Sequence, residues 1–281
     1  MSEVFRGKSV FITGASSGIG AALAKEFARH GARVALVGRR ADRLLEVEQA
    51  ITSQGGEATS AVCDVADRES LEGAVAKAVE AFDGIEVVVA NAGFGVSGPF
   101  ETLTTEDYRR QFETNFFGVL DTLYATLPYL KASKGQVAIV ASVLGRVGYP
   151  IVSAYCASKF ALCGLAESLY YELAEHGIAV TCINPGLVAS DLRLRDNLGR
   201  VHPHAKDPAP PWLLMSAEKA AKIIVRAMAR GRFEVVVTTH GKAIVSFARH
   251  LPRTWRWAVS RFVKGRMSSL EKHARPTHPS L

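Results

Sequence analysis

The sequence predicts an α/β protein: a doubly wound, seven-stranded parallel sheet with helices on both faces, followed by a C-terminal helical extension. Three observations predict it. Short apolar and β-branched runs alternate with longer segments of helical apolar period. The first strand–helix–strand unit is complete by residue 38, a span of about 30 residues that suits a parallel crossover. The first strand breaks directly into a glycine-rich turn that opens a helix. At 281 residues the chain is one large domain or one domain with an appendage, and 48% hydrophobic residues can build a substantial core.

Lys8–Thr13 reads as the first strand, followed by Gly14-Ala15-Ser16-Ser17-Gly18-Ile19-Gly20 and an Ala-rich helix to His30-Gly31. Glycine lets the backbone turn tightly and approach a phosphate whose charge sits at the helix N-terminus. A merely tight turn would need one glycine, not three with flanking serines. Gly14, Ser16, Ser17, Gly18, Ile19 and Gly20 are therefore candidate cofactor contacts. Arg33–Gly38 is the second strand. A site for NAD(H) would want an acid at its end, accepting the ribose hydroxyls. Arg39 and Arg40 stand there instead, with no acid beside them, and suit a 2′-phosphate, which predicts NADP(H) over NAD(H). The plainer alternative is a solvated arginine pair opening the next helix, one of them neutralised by Asp42.

The alternation continues with a strand over Glu57–Val62 that closes on Asp64-Val65, where an acid could bond the adenine amine. A helix over 67–82 and a strand over Glu86–Ala90 lead to Asn91-Ala92-Gly93, a small-residue turn that lets a cofactor lie close. One long helix is expected from Thr104 to Lys131, carrying Asn115 among apolar neighbours. A buried amide needs partners, so Asn115 is either a structural bridge or a site residue. Gln136–Ala141 is the fifth strand, and Ser142 lies just beyond its carboxyl end, which faces the ligand crevice of a parallel sheet. Ile178–Ile183 is the sixth strand, followed by Asn184-Pro185-Gly186. Ser216 caps a helix that ends near Arg230-Gly231, and Phe233–Thr238 is the seventh strand.

The chemistry converges on the helix from Ser153 to about His176. Tyr155 and Lys159 are four apart and share one helical face. A free tyrosine, with a pKa of about 10, is nearly inert as an acid–base group at neutral pH. A cation one turn away favours the phenolate and makes the pair a proton-transfer device.

Thr13-Gly14-x3-Gly18-x-Gly20, Asn91-Ala92-Gly93, Asn115, Ser142, Tyr155-x3-Lys159 and Pro185-Gly186 together resemble the short-chain dehydrogenase/reductase family over about residues 7–192. The resemblance implies a Rossmann-type catalytic domain, here residues 1–238, with Asn115, Ser142, Tyr155 and Lys159 as a catalytic tetrad. Tyr155 would be the general acid/base, and Lys159 would also bond the nicotinamide ribose. Ser142 would polarise the substrate carbonyl, and Asn115 would hold a proton-relay water. Pro185, Gly186, Val188 and Ser190 would flank the nicotinamide, Ser190 keeping a hydroxyl where the family often has threonine. The implied function is an NADP(H)-dependent oxidoreductase interconverting a ketone or aldehyde and an alcohol. The competing reading is a catalytically idle NADP-binding scaffold or redox sensor at a membrane surface. In the family the helices expected over 104–131 and 155–176 pair across a two-fold axis, which implies a homodimer or homotetramer.

Substrate selection is expected from 94–96, 143–146, 149–151 and a loop over about 187–215, most of them apolar. That loop holds Pro203, Pro208, Pro210 and Pro211 and no periodicity. Its His202 and His204 read as solvated residues, and no metal site is expected. Cys63, Cys156, Cys163 and Cys182 form no CxxC pair and lie in apolar segments, so reduced, structural thiols in a cytoplasmic protein are expected. Cys156 reads as core packing beside Tyr155. The N-terminus lacks a signal peptide's apolar stretch, and no 18-residue apolar run exists.

The net charge of +7 is lopsided: residues 239–281 hold nine Lys/Arg against Glu271 alone, a net +8, and leave −1 for residues 1–238. Within 240–266, Ile244, Phe247, Leu251, Trp255, Val259 and Phe262 recur at helical spacing among basic residues, with Pro252 dividing two helices. An apolar stripe with a basic opposite face fits an interfacial helix on anionic lipid. It also fits helices docked on the body or on a partner subunit; nucleic acid is not expected. An extended basic C-terminus is loosely similar to that of the family's lipid-ketone reductases, which raises the expectation of a long-chain, lipid-like substrate.

Overall fold

The computed structural model describes residues 4–200, 202, 207 and 209–264. His204, Pro203 and Pro208 of the expected loop, and the end of the basic tail from Gly265 onward, lie outside the described residues. Seven parallel strands form one sheet in the order β3-β2-β1-β4-β5-β6-β7. They are β1 (Ser9–Thr13), β2 (Arg33–Gly38), β3 (Glu57–Val62), β4 (Val87–Ala90), β5 (Gln136–Val140), β6 (Ala179–Asn184) and β7 (Glu234–Val236). The doubly wound sheet expected from the alternation is thus present. The strand order reverses between β1 and β4, and in such sheets ligands bind outside the carboxyl ends at that switch point.

The central strands are buried on both faces, so they read as unbroken apolar runs rather than alternating ones. On one face lie α1 (Gly18–Arg29), α2 (Ala41–Thr52) and α7 (Ala217–Met228), which bury Leu23, Phe27, Leu44 and Ile224 in one core with strand residues such as Ile12, Leu36 and Val140. On the other lie α3 (Arg68–Phe82), α5 (Gly118–Ser133) and α6 (Ser153–Glu172), with Leu71, Leu130 and Leu162 in a second core. Side-chain caps fix helix starts: Asp67 Oδ1 accepts the Ser70 N–H at 3.2 Å, and Ser216 Oγ accepts that of Lys219 at 3.2 Å.

The helix expected over 104–131 is divided. It starts as α4 (Thr105–Phe112), closed at its N-terminus by a Thr104–Asp107 capping box. It widens into one π-helical turn over Glu113–Phe117 and continues as α5. Such a turn accommodates an extra residue by bulging the backbone, and the buried residue it carries is Asn115. Period counting does not register a bulge of this kind, which explains the difference.

The segment after β6 is clipped at its base: Ala189 N–H donates to Met215 O at 2.9 Å, and Met215 N–H to Leu187 O at 3.0 Å. Two 3-10 turns lie within it, over Asp191–Leu194 and Pro211–Leu213. The C-terminal helices are α8 (Thr239–His250) and α9 (Pro252–Val263). The first turn of α8 is tied to the body, because a Cβ on Gly241 would meet Val143 at 2.8 Å. Beyond that turn the extension is open: α9 buries none of its residues and meets α8 through the Phe247 and Trp255 rings, 6.1 Å apart. The faces of α5 and α6 away from the sheet expose Tyr124, Phe160 and Tyr171. Among the described residues, no helix is long and apolar enough to cross a membrane.

Candidate active site

A cavity of about 430 Å³ opens along the carboxyl ends of β1, β2, β4, β5 and β6. It is lined by every candidate cofactor or catalytic residue except Gly20 and Asn115. Gly14, with φ +67°, and Gly18, with φ +55°, hold left-handed conformations that suit glycine. A Cβ on Gly20 would lie 2.3 Å from the Gly14 carbonyl oxygen, so the loop closes only without one. Gly20 thus shapes the cradle from behind. Asn91 locks this loop to β4: its Nδ2 donates to Thr13 O at 2.9 Å and to Gly14 O at 3.2 Å. Thr13 Oγ1 accepts the N–H groups of Asn91 and Ala92 at 3.0 and 3.1 Å.

At the end of β2 the structure departs from the expectation of two arginines with no acid beside them. Arg39 Nη1 pairs with Asp64 Oδ2 at 3.3 Å, and Arg40 Nη1 with Asp191 Oδ2 at 3.1 Å. Arg40 also donates to the hydroxyls of Ser16 and Ser17, at 3.2 and 2.6 Å. Asp42, the neutralising neighbour of the plainer alternative, is not the partner in either pair. Both counterions arrive through the fold, one from the end of β3 and one from the segment after β6. Asp64, read as an adenine contact, lines the cavity and also accepts the Ala66 N–H at 3.2 Å.

The reaction end is built by β5 and α6. Lys159, 4% exposed, donates from Nζ to Val140 O at 2.8 Å. Its ammonium lies 5.7 Å from the Tyr155 ring centroid. Burial pushes the Lys159 pKa down to about 8, against a smaller upward pull from Cys163 and Cys182. Ser142 Oγ accepts the Leu144 N–H at 3.1 Å, which leaves the hydroxyl hydrogen to donate into the cavity it lines.

Asn115 stands one layer behind. Its Oδ1 accepts the Phe94 N–H at 3.0 Å, and its Nδ2 donates to Phe94 O at 3.0 Å and Ser158 Oγ at 3.3 Å. Both amide hydrogens are committed to bridging the β4–α4 loop and α6, so a relay water would have to be held by Oδ1 or by main chain. Of the expected substrate walls, Phe94 and the 187–215 loop line the cavity, the loop through Val188 and Leu192 but also through Asp191, Arg193, Arg195 and Arg200, whereas 143–146 and 149–151 do not line it. Val96 instead packs with Phe94 and Ala154 in a small core of its own, fully buried. Cys156 is buried, and burial pushes its thiol up, as befits packing. His202 pairs with Asp196 at 3.0 Å, and no metal-binding group of side chains occurs among the described residues.

Two contributors went unread in the sequence. Arg195 lines the cavity from the segment after β6. His240, in the first turn of α8, accepts the Leu187 N–H on Nε2 at 3.1 Å and fixes the chain next to Gly186. Neither sits in a recognisable local pattern. Arg195 alternates with Arg193 among leucines, and His240 is a lone imidazole after a strand.

The model of the short chain dehydrogenase family matches residues 8–199. SadH of Mycobacterium tuberculosis, described only provisionally as an oxidoreductase, is 33% identical over 263 residues, 91% of this chain and 95% of that protein. An alcohol dehydrogenase from the archaeon Thermococcus sibiricus, solved with 5-hydroxy-NADP, is 29% identical with a TM-score of 0.72, over 82% of this chain and 95% of that one. A short-chain dehydrogenase/reductase from Burkholderia phymatum, solved with NAD, superposes with a TM-score of 0.78 over 99% of both chains at 23% identity, a likeness of fold. With the glycine cradle, the Tyr155–Lys159 pair and a family match over most of the chain, this protein belongs to the short-chain dehydrogenase/reductase family of oxidoreductases.

Proposed function

We propose that the protein is an NADP(H)-dependent dehydrogenase/reductase that interconverts a hydrophobic, lipid-like ketone or aldehyde and its alcohol. The observation that carries the chemistry is Lys159, a buried ammonium one helical turn from Tyr155 and on the same cavity as Ser142. The donor set fits a dinucleotide. The loop at Gly14–Gly20 has no room for a Cβ at any of its three glycines and runs into a helix N-terminus that suits a diphosphate. Arg39 and Arg40 suit a 2′-phosphate, Asp64 and Val65 the adenine, and Asn91-Ala92-Gly93 the nucleoside next to it. Pro185, Gly186, Val188 and Ser190 suit the nicotinamide end.

When bound, the dinucleotide supplies or accepts the hydride. In the reductive direction Tyr155 gives its hydroxyl proton to the carbonyl oxygen and becomes a phenolate. Lys159 lowers the cost of that charge by standing beside it. Ser142 donates a hydrogen bond to the same oxygen and stabilises the negative charge that develops there. Asn115 positions Phe94 and α6, and through α6 the Tyr155 hydroxyl. A scaffold without turnover has no physical need for this set, which weighs against the idle reading. Phe94, Val188 and Leu192 give the cavity an apolar side that favours a hydrophobic substrate. The test is Tyr155→Phe assayed by NADPH absorbance on ketones graded by chain length. Turnover should vanish while NADPH binding persists, and the wild type should prefer longer chains; a fully active variant sinks the mechanism.

A second reading concerns place of work, and exposure favours it. The pair α8–α9 exposes Leu251, Trp257 and Phe262 together with Arg249, Arg253, Arg256 and Arg261, and residues 239–264 contain no acid. Apolar anchors within a wholly basic surface complement an anionic lipid surface. This pair would hold the enzyme where a lipid-like substrate resides.

A further inference from the structure

Arg39 and Arg40 supply two guanidiniums at the β2 end of the cavity, and a third reaches it from the other side of the switch point. Arg195 follows the 3-10 turn Asp191–Leu194 and lines the same cavity as Arg39, Arg40 and Ser16. Its Nε is shut off from solvent and has no hydrogen-bond partner, the only buried side-chain nitrogen or oxygen in that state among the described residues. Buried guanidinium donors are ordinarily satisfied, so an orphan on a side chain that lines a cavity points to a missing acceptor beside that guanidinium.

The charges around it point the same way. Burial, then the neighbouring Arg40 and Arg39, hold Arg195 below the ordinary arginine pKa, with Asp191 the opposing acid. Asp191 is already paired with Arg40, and Asp64 with Arg39. Three cations thus share two carboxylates. A phosphate monoester supplies what is lacking: close to two negative charges and three acceptor oxygens, matched to guanidinium forks. The Asp191–Arg200 segment approaches this end twice, since a Cβ on Gly199 would come within 3.5 Å of Arg39 Nη2. Val188 and Ser190, just before this segment, line the same cavity, Ser190 lying against Gly18 of the glycine cradle.

We propose that Arg195 is a third, segment-borne ligand of the cofactor 2′-phosphate, so that the segment after β6 takes part directly in the choice of NADP(H). This rests on the NADP(H) reading above. It adds that cofactor identity is sensed by the substrate segment and not by the end of β2 alone. Arg195 is a binding and positioning residue with no part in proton transfer.

The test is Arg195→Met, with Arg195→Lys beside it, in the full chain. Binding of NADPH, NADH, 2′,5′-ADP and 5′-ADP is measured by isothermal titration calorimetry, and cleavage within 191–200 by limited proteolysis. Wild-type protein should bind 2′,5′-ADP more tightly than 5′-ADP and be protected by NADPH but not by NADH. Arg195→Met should weaken NADPH and 2′,5′-ADP by about tenfold or more, the worth of a charge-assisted contact, and abolish that protection. Its NADH and 5′-ADP affinities should be unchanged, which also shows that the variant is folded. Arg195→Lys should fall between, because an ammonium lacks the fork. Unchanged NADPH affinity in Arg195→Met, or equal weakening of NADPH and NADH, overturns the assignment while a wild-type preference for NADPH leaves the cofactor reading standing. Wild-type protein that binds NADH as tightly as NADPH overturns that reading and this assignment with it.

Discussion

Lys159 donates from Nζ to the carbonyl oxygen of Val140 at 2.8 Å, anchoring the end of α6 that carries Tyr155 to the carboxyl end of β5. The contact holds an ammonium largely out of water, and its pKa drops from 10.5 to about 8 as a consequence of burial. The lowered value means that the unfolded chain holds this proton more tightly. The group therefore adds stability as pH rises from about 8 to 10.5, and below about 8 the full cost of the buried charge is present.

Removing that charge should stabilise the ligand-free protein while destroying its chemistry. The fall in pKa corresponds to about 3 kcal/mol, from which about 1 kcal/mol is lost with the Val140 hydrogen bond. Lys159→Met should then raise Tm by about 4–8 °C in scanning calorimetry at pH 7, with turnover gone. A Tm at or below that of the wild type would show that the buried ammonium is no burden to the fold.

His240 gives the extension a stake in the site. The Leu187 N–H can be accepted only by an unprotonated Nε2, and burial holds the His240 pKa below its ordinary 6.5. The unfolded chain takes up this proton first as the solution is acidified. Its contribution is complete above pH 6.5 and is lost as pH falls through the folded value. His240→Ala should lower stability at pH 7.5 by about 1–3 kcal/mol, by leaving the Leu187 N–H unpaired. The same variant should show a shallower loss between pH 7 and 5, measured by urea unfolding across that range. Identical pH profiles for variant and wild type would remove His240 from this role.

Membrane contact is testable by flotation. With α8–α9 on a bilayer, binding should require anionic lipid, at about 1 kcal/mol per basic residue near the surface. It should weaken with salt as the Debye length shrinks from ~10 Å at 0.1 M to ~3 Å at 1 M. Truncation after His250, which spares the first turn of α8 where Gly241 packs on the body, should release the protein from anionic vesicles and lower activity on long-chain ketones only. If the full-length protein stays at the bottom of the gradient, the lipid surface is not its partner. Equal loss of activity on short and long ketones in the truncated chain would assign these helices to the body instead.

The sequence by itself determined the alternating elements, the glycine cradle and the Tyr155–Lys159 face, because each rests on spacing within one strand, turn or helix. Thr13–Gly20 and Ser153–Lys159 need no distant partner to be read. Only the tertiary structure decided which acids meet the arginines: Asp64 is 25 residues from Arg39, and Asp191 is 151 residues from Arg40. It also decided the π-helical turn that aims Asn115 at Phe94 and Ser158, the inward set of Arg195, and the hold of His240 on Leu187. Local periodicity records which side of an element is apolar. It does not record where a loop returns across the sheet, and charges and hydrogen-bonding groups take their partners from that path.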